Sequence, residues 1–341
     1  MAGHIAKLIG RLRRIRRPLK KQTHLMDYTK TPIASADHIT LLKGRGLAIA
    51  DEQRAERYLE TIGYYRLSGY MYHLQKRDKS HRFLPNVTFD TIVDTYKFDK
   101  KLRAVVAEYM ERIEVALRAK LTNIYSLKYG FYWYNDQALF SDNAVFISIN
   151  ADINDKFKEE KEHFVKAFKT NHPGETRLPS PMALEVLSLG KLARLYKALA
   201  TTEEKKRVSK EFGLIITLFE SWVIWLANVR NICAHHSRLW NKVMTPDRPI
   251  FSRKKEYRFN DTLTEENSMT THGAISLINR ILLSFNPGNS FTSKVEALID
   301  EYNINARHMG FPDDWKTTAT WHHERKTGPL PPAEGGLPAR G

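Results

Sequence analysis

Apolar residues recur at spacings of three and four along most of the chain, while period-two alternation is scarce, so the pattern predicts helices rather than strands. A short helix opens at Ser35-Ala36-Asp37 and is terminated by Gly44 and Gly46. Asp51 caps a second over 51–62, which stops at Gly63, and the aromatic stretch 64–75 reads as another helix. Thr88 opens the longest helical region, through about Tyr129, with Leu102, Val105, Val106, Tyr109, Ile113, Leu117, Leu121 and Ile124 as its core stripe. A further helix is expected over 150–169, with Ile153, Phe157, Phe164 and Phe168 inward. Ser180-Pro181 reads as an N-cap followed by proline at the first helical position, opening one or two helices to Leu199. Thr202 caps a short basic helix ending at Gly213. A long apolar helix covers 214–236, irregular structure or a short hairpin 241–268, and two last helices 269–285 and 294–302, the second behind a Ser293-x-x-Glu296 capping box. The fold class expected is all-α.

Composition adds a sizeable core, with 42% hydrophobic and 11% aromatic residues. The single cysteine, Cys233, excludes a disulfide scaffold and a cysteine-based zinc site and suits a reducing compartment. The most apolar stretch, 212–229, approaches the length of a membrane span, but Glu220 lies at its middle and Asn228 and Arg230 at its end, so it reads as a buried core helix.

The charge is lopsided. Lys plus Arg number 54 against 38 Asp plus Glu, a formal net of +16. Residues 1–30 hold nine basic residues and one acid, Asp27, which is half of that net charge. A basic arm over 1–27 is expected, then a helical domain over 28–315 and a Pro/Gly-rich disordered tail over 316–341. Arg11, Arg13, Arg14, Arg16, Arg17, Lys20 and Lys21 suit a polyanion such as RNA. An amphipathic arm on an anionic membrane is a weaker reading, and a solubilising tail the bland one. The start has no apolar core of a secretory signal, although an Arg-rich, acid-free segment also fits a transit peptide.

Candidate chemistry gathers at 229–241, VRNICAHHSRLWN. At about 100° per residue, an uninterrupted helix puts Leu218, Trp222, Leu226, Cys233 and His236 on one buried stripe. Asn228, Arg230, Asn231, His235 and Arg238 occupy the other arc. His235 is then free for proton transfer and His236 is a core histidine. Adjacent histidines diverging by about 100° cannot share one ion, so no metal is expected. No cofactor is expected either, since no Gly-rich phosphate loop is present.

Arg230-Asn231-x-x-x-His235 resembles the Arg-x4–6-His motif of HEPN-fold ribonucleases. IGYYRLSGY (62–70), ERIEVALRAKL (111–121), YGFYWY (129–134), LEVLSLGKLARLYKAL (184–199), RNICAHHSRLWN (230–241) and GFPDDW (310–315) resemble successive blocks of abortive-infection proteins of the AbiD/AbiF type. The resemblance implies a bacterial, cytoplasmic HEPN-type helical bundle with additional terminal helices, acting on RNA without metal and forming a homodimer. It also implies a structured noncoding RNA as a restraining partner. Arg230, Asn231 and His235 are its implied catalytic residues, with Arg238 adding to RNA binding. The arm before residue 28 is longer and more Arg-rich than the family requires. A second class of function stays open, in which the motif clamps phosphate without turnover.

Overall fold

A computed structural model describes residues 31–244, 248–252, 254, 257, 263–264, 267–318 and 321. The basic arm, the tail from 322 onward and most of the interval between Met244 and Met269 lie outside the described residues.

The elements are helical throughout. In chain order they are α1 (Ser35–Gly44), α2 (Glu52–Ile62), α3 (Tyr64–Ser68), α4 (Phe89–Tyr129), α5 (Asn143–Glu159), α6 (His163–Asn171), α7 (Ser180–Ala183), α8 (Leu189–Ala198), α9 (Glu203–Glu211), α10 (Ile216–Ala234), α11 (Thr271–Phe285) and α12 (Phe291–Glu301). Among the described residues there is no strand, and the chain is an all-α bundle.

The caps explain the starts. Thr88 accepts from the Thr91 amide to begin α4, Asp51 from the Arg54 amide to begin α2, and Thr202 from the Lys205 amide to begin α9. The axis of the bundle is α4, whose 41 residues span about 60 Å. Against it pack α9, α10, α11 and α12, while α8 covers α10 and α5 covers α8. The predicted stripe of α4 is buried, apart from a half-buried Val105. The apolar stretch 212–229 is likewise interior, with Leu218, Phe219, Trp222, Val223 and Leu226 buried. Among the described residues no single helix is long and apolar enough to cross a membrane.

Several boundaries differ from the sequence expectation. The helix expected over 150–169 is two, α5 and α6, broken where Glu160 adopts a left-handed φ of 50°. Asp142 starts α5 early by accepting from the Ala144 and Val145 amides. Phe157 and Phe164 are seven residues apart, so the stripe stays in phase across the break and periodicity does not register it. Residues 64–75 form the five-residue α3 and a 3-10 turn at Tyr72–Leu74 rather than one helix. Pro179, not Ser180, precedes α7, and the Ser180 hydroxyl instead meets that of Ser126 at 2.8 Å. Ser290, not Ser293, precedes α12.

Packing continues past residue 315. Trp321 is buried against Phe311 and Trp315, with ring centroids 5.4 and 4.7 Å away. In the GFPDDW block, Gly310 sits at φ 86°, and a Cβ there would lie 2.2 Å from Thr270 Oγ1, so only glycine fits.

Candidate active site at the end of α10

The helix α10 stops at Ala234 because the next residues close a Schellman motif. The Ser237 amide donates to the Ile232 carbonyl at 3.0 Å and the His236 amide to the Cys233 carbonyl at 3.1 Å. His236 occupies the left-handed position, φ 55°, where glycine is usual. His235 is the half-turn residue before it, its amide on the Asn231 carbonyl at 2.9 Å.

This turn corrects the assignment of His236 to the core. The wheel assumed helical phase through residue 236, but phase ends two residues earlier, and both histidines are exposed. His236 lines a cleft of about 780 Å³ together with Arg230 and Cys233. The opposite wall comes from α4 through Arg103, Glu114 and Arg118. His235 and Asn231 are exposed and stand outside that lining. In one chain, therefore, the cleft unites Arg230 with His236 and not with His235.

Arg118 organises the far wall. It donates to Glu114 Oε1 at 2.5 Å and to the carbonyls of Leu184 and Leu187 at 3.1 and 2.9 Å. Glu114 is thereby fixed on the side of α4, and its other oxygen lies 3.7 Å from Arg230 Nε. At 36% side-chain exposure, Arg230 is oriented by a loose ion pair but keeps donors free for an incoming anion.

Beneath the turn sits Asp99, fully buried on α4. It accepts from the Tyr70 hydroxyl at 2.6 Å, from the amides of Leu239 and Trp240 at 3.1 and 2.7 Å, and from Arg103, which is buried beside it. Burial pushes the Asp99 carboxyl pKa up, and Arg103, Tyr70 and the two amides pull it back. The carboxylate thus nails the chain just past His236 to α4. From the other side, Arg66 donates to the His236 carbonyl at 2.7 Å and Arg238 donates to the Gly69 carbonyl. Arg238, expected to face RNA, is half-buried and spends one donor on this brace.

Cys233 is no nucleophile here. Burial pushes its thiol up to about 12, so the thiolate is scarce near neutrality. Among the described residues no group of three or more His, Cys, Asp or Glu side chains is placed to hold a metal ion. The arm residues Arg11, Arg13, Arg14, Arg16, Arg17, Lys20 and Lys21 lie outside the described residues.

Sequence reading missed the roles of Asp99, Arg103 and Arg66, missed Glu185, whose carboxylate lies 3.7 Å from Arg118 on the cleft wall, and noted Glu114–Arg118 only as a helical pair. One signal was available: Asp99 and Arg103 are four apart, and each directly follows a core residue of α4, Phe98 and Leu102. A charge pair inside a core stripe marks a buried polar device.

The class that fold and cleft define is an all-α bundle with a braced Arg/His turn over a groove bearing Arg and Glu side chains. The profile of a family described as "Abi-like protein" matches residues 57–241, just over half of the chain, and the chain belongs to that family. The matched span holds all the blocks quoted above except GFPDDW and ends at Asn241, one residue past the Trp240 amide held by Asp99. Comparison with curated proteins and with solved structures yields no match. Family membership associates the chain with abortive infection, a phage-defence response.

Proposed function

We propose that the chain is a metal-independent HEPN-type endoribonuclease of abortive infection. The observation that carries this reading is the convergence on one cleft of sequence blocks that lie far apart in the chain. The block at 111–121 supplies Glu114 and Arg118, that at 184–199 the carbonyls and Glu185, that at 230–241 Arg230 and the histidine turn, and that at 62–70 the brace from Arg66. RNA carries its own nucleophile, the 2′-hydroxyl. An imidazole removes that proton, the oxygen attacks the adjacent phosphorus, and the 5′-oxygen leaves with a proton. The products are a 2′,3′-cyclic phosphate and a 5′-hydroxyl. Arg230 presents a planar fork to the phosphate and stabilises its added charge in the transition state, and Asn231 orients phosphate or imidazole.

Two assignments of the imidazole follow from the geometry. His235 faces outward, and with it the reaction uses a homodimer in which a second copy closes the cleft. His236 already shares the cleft with Arg230, which favours a site complete within one chain. The basic arm belongs to this proposal as an RNA-binding extension, the restraining noncoding RNA as its partner, and the cytoplasm as its setting.

The test is incubation with total RNA in EDTA. Wild type leaves fragments ending in cyclic phosphate, and Arg230→Lys, which keeps the charge but loses the fork, loses most cleavage while binding RNA. A dead His235→Ala that depresses wild-type activity beyond simple dilution supports the dimeric site, whereas a dead His236→Ala beside an active His235→Ala assigns the imidazole to His236. Intact RNA after incubation with wild type refutes the proposal.

A further inference from the structure

Beside the cleft lies a second, smaller cavity of about 360 Å³, whose walls include Tyr65, Arg66, Ser68, His236 and Arg238. His236 is the residue that the two cavities share. We propose that this cavity is a subsite for one unpaired RNA base, stacked on the Tyr65 ring, next to the nucleotide whose phosphate lies at Arg230. The proposal rests on the ribonuclease reading above and goes beyond it by naming a site for a flanking base and a requirement for single-stranded substrate.

Three observations carry it. The first is that Tyr65 is 92% exposed, the most exposed large apolar side chain among the described residues, and its ring meets no other ring among them. Its neighbour Tyr64 is spent on the fold, stacked on His38 with centroids 4.1 Å apart and planes at 3°, and bonded at its hydroxyl by Arg45 at 3.1 Å.

The second is that the Tyr65 platform is tied to the chemistry. It stands on α3, whose next residue, Arg66, grips the His236 carbonyl at 2.7 Å, while Arg238 grips Gly69 just beyond α3. Ring and turn are therefore held in register by two guanidinium bonds.

The third is charge. The walls of the smaller cavity carry the guanidiniums of Arg66 and Arg238 and no carboxylate, whereas the larger cleft carries Glu111, Glu114 and Glu185. An aromatic ring framed by cations without acids suits a base with its phosphate rather than a protein segment. Every base has a π-face, so such a subsite tolerates any sequence, but bases stacked inside a duplex cannot reach it.

Binding is measured with a short mixed-sequence single strand of 2′-O-methyl RNA, which lacks the nucleophile and stays whole, and with the corresponding blunt duplex. Tyr65→Ala is expected to weaken single-strand binding by about 5- to 150-fold, which corresponds to about 1–3 kcal/mol for one base on an aromatic ring. Tyr65→Phe and Tyr65→Trp keep binding, and duplex binding does not change. The melting temperature of Tyr65→Ala stays at the wild-type value, because the side chain is almost fully exposed.

Unchanged single-strand binding by Tyr65→Ala overturns the subsite, as does equal weakening for strand and duplex. If wild type cleaves total RNA while Tyr65→Ala binds and cleaves like it, the subsite falls and the ribonuclease reading stands. If wild type neither binds the strand nor cleaves RNA, both fall. A Tyr65→Ala change that alters only self-association by light scattering makes the ring a protein contact and overturns the proposal.

Discussion

Removing the Asp99 carboxylate should unfasten the histidine turn from the bundle, and the structure allows the cost to be built from its parts. Asp99→Ala leaves Arg103 buried without its counter-ion, a loss of about 3–5 kcal/mol for a broken buried pair. It also orphans the amides of Leu239 and Trp240, at about 1–3 kcal/mol for each buried donor left unmade. Water entry and relaxation overlap these terms, so the expected total is about 4–6 kcal/mol, a large part of the 5–15 kcal/mol typical of a domain. Asp99→Asn keeps an oxygen for the two amides but turns an NH2 toward Arg103 and Tyr70, losing the ion pair and the acceptor of the Tyr70 hydroxyl, so it should fall in between. Adding Arg103→Met to Asp99→Ala removes the unpaired charge but not the orphaned amides, and so should restore only part of the loss. The assay is urea unfolding, compared through midpoints at unchanged slope. An Asp99→Ala protein within about 1 kcal/mol of wild type would refute the reasoning, because it would mean that the ion pair and the two amide bonds do not fasten the turn.

Two further outcomes test other parts of the structure. His236→Gly should unfold at or above the wild-type midpoint, since glycine takes the left-handed position without the roughly 1–2 kcal/mol that other residues incur there; a loss of stability would contradict the Schellman assignment. His272 is fully buried against Phe311, and burial lowers its pKa to about 4 from an unfolded 6.5. The unfolded chain therefore binds the extra proton in that window, and stability is present above about pH 6.5 and declines as pH falls toward 4, by about 3 kcal/mol for this residue. Burial holds His73 in the same direction. His272→Leu should flatten the fall of the urea midpoint between about pH 7 and about pH 4.5, and an unchanged slope would rule His272 out as its source.

Much of the fold was legible because its signals are local or periodic. The caps at Asp51, Thr88 and Thr202 each have a side-chain oxygen three residues before the amide it accepts from, and the stripe of α4 repeats long enough to fix its buried face. The boundaries that were misplaced are those where two local solutions compete. Ser180 and Ser293 look like caps, yet tertiary bonds and an earlier start moved both inside helices.

The site was legible in composition but not in direction. Arg230, Asn231 and the two histidines announce a polar end to a greasy helix, and the wheel then sorts them correctly only while the helix lasts. A glycine at 236 would have signalled the stop. With histidine there the helix reads on, and the wheel then sends His236 to the core although the turn leaves it exposed on the cleft. The same substitution explains why the turn needs so much bracing. A non-glycine residue in the left-handed region persists where its surroundings over-determine it, and here Arg66 holds its carbonyl, Asp99 holds the chain three and four residues on, and Arg238 ties the far side to Gly69. All of these partners come from segments 130 or more residues away in sequence, which is why no local pattern revealed them. The strained backbone directs the His236 side chain to the wall between the two cavities, a position that glycine would leave empty.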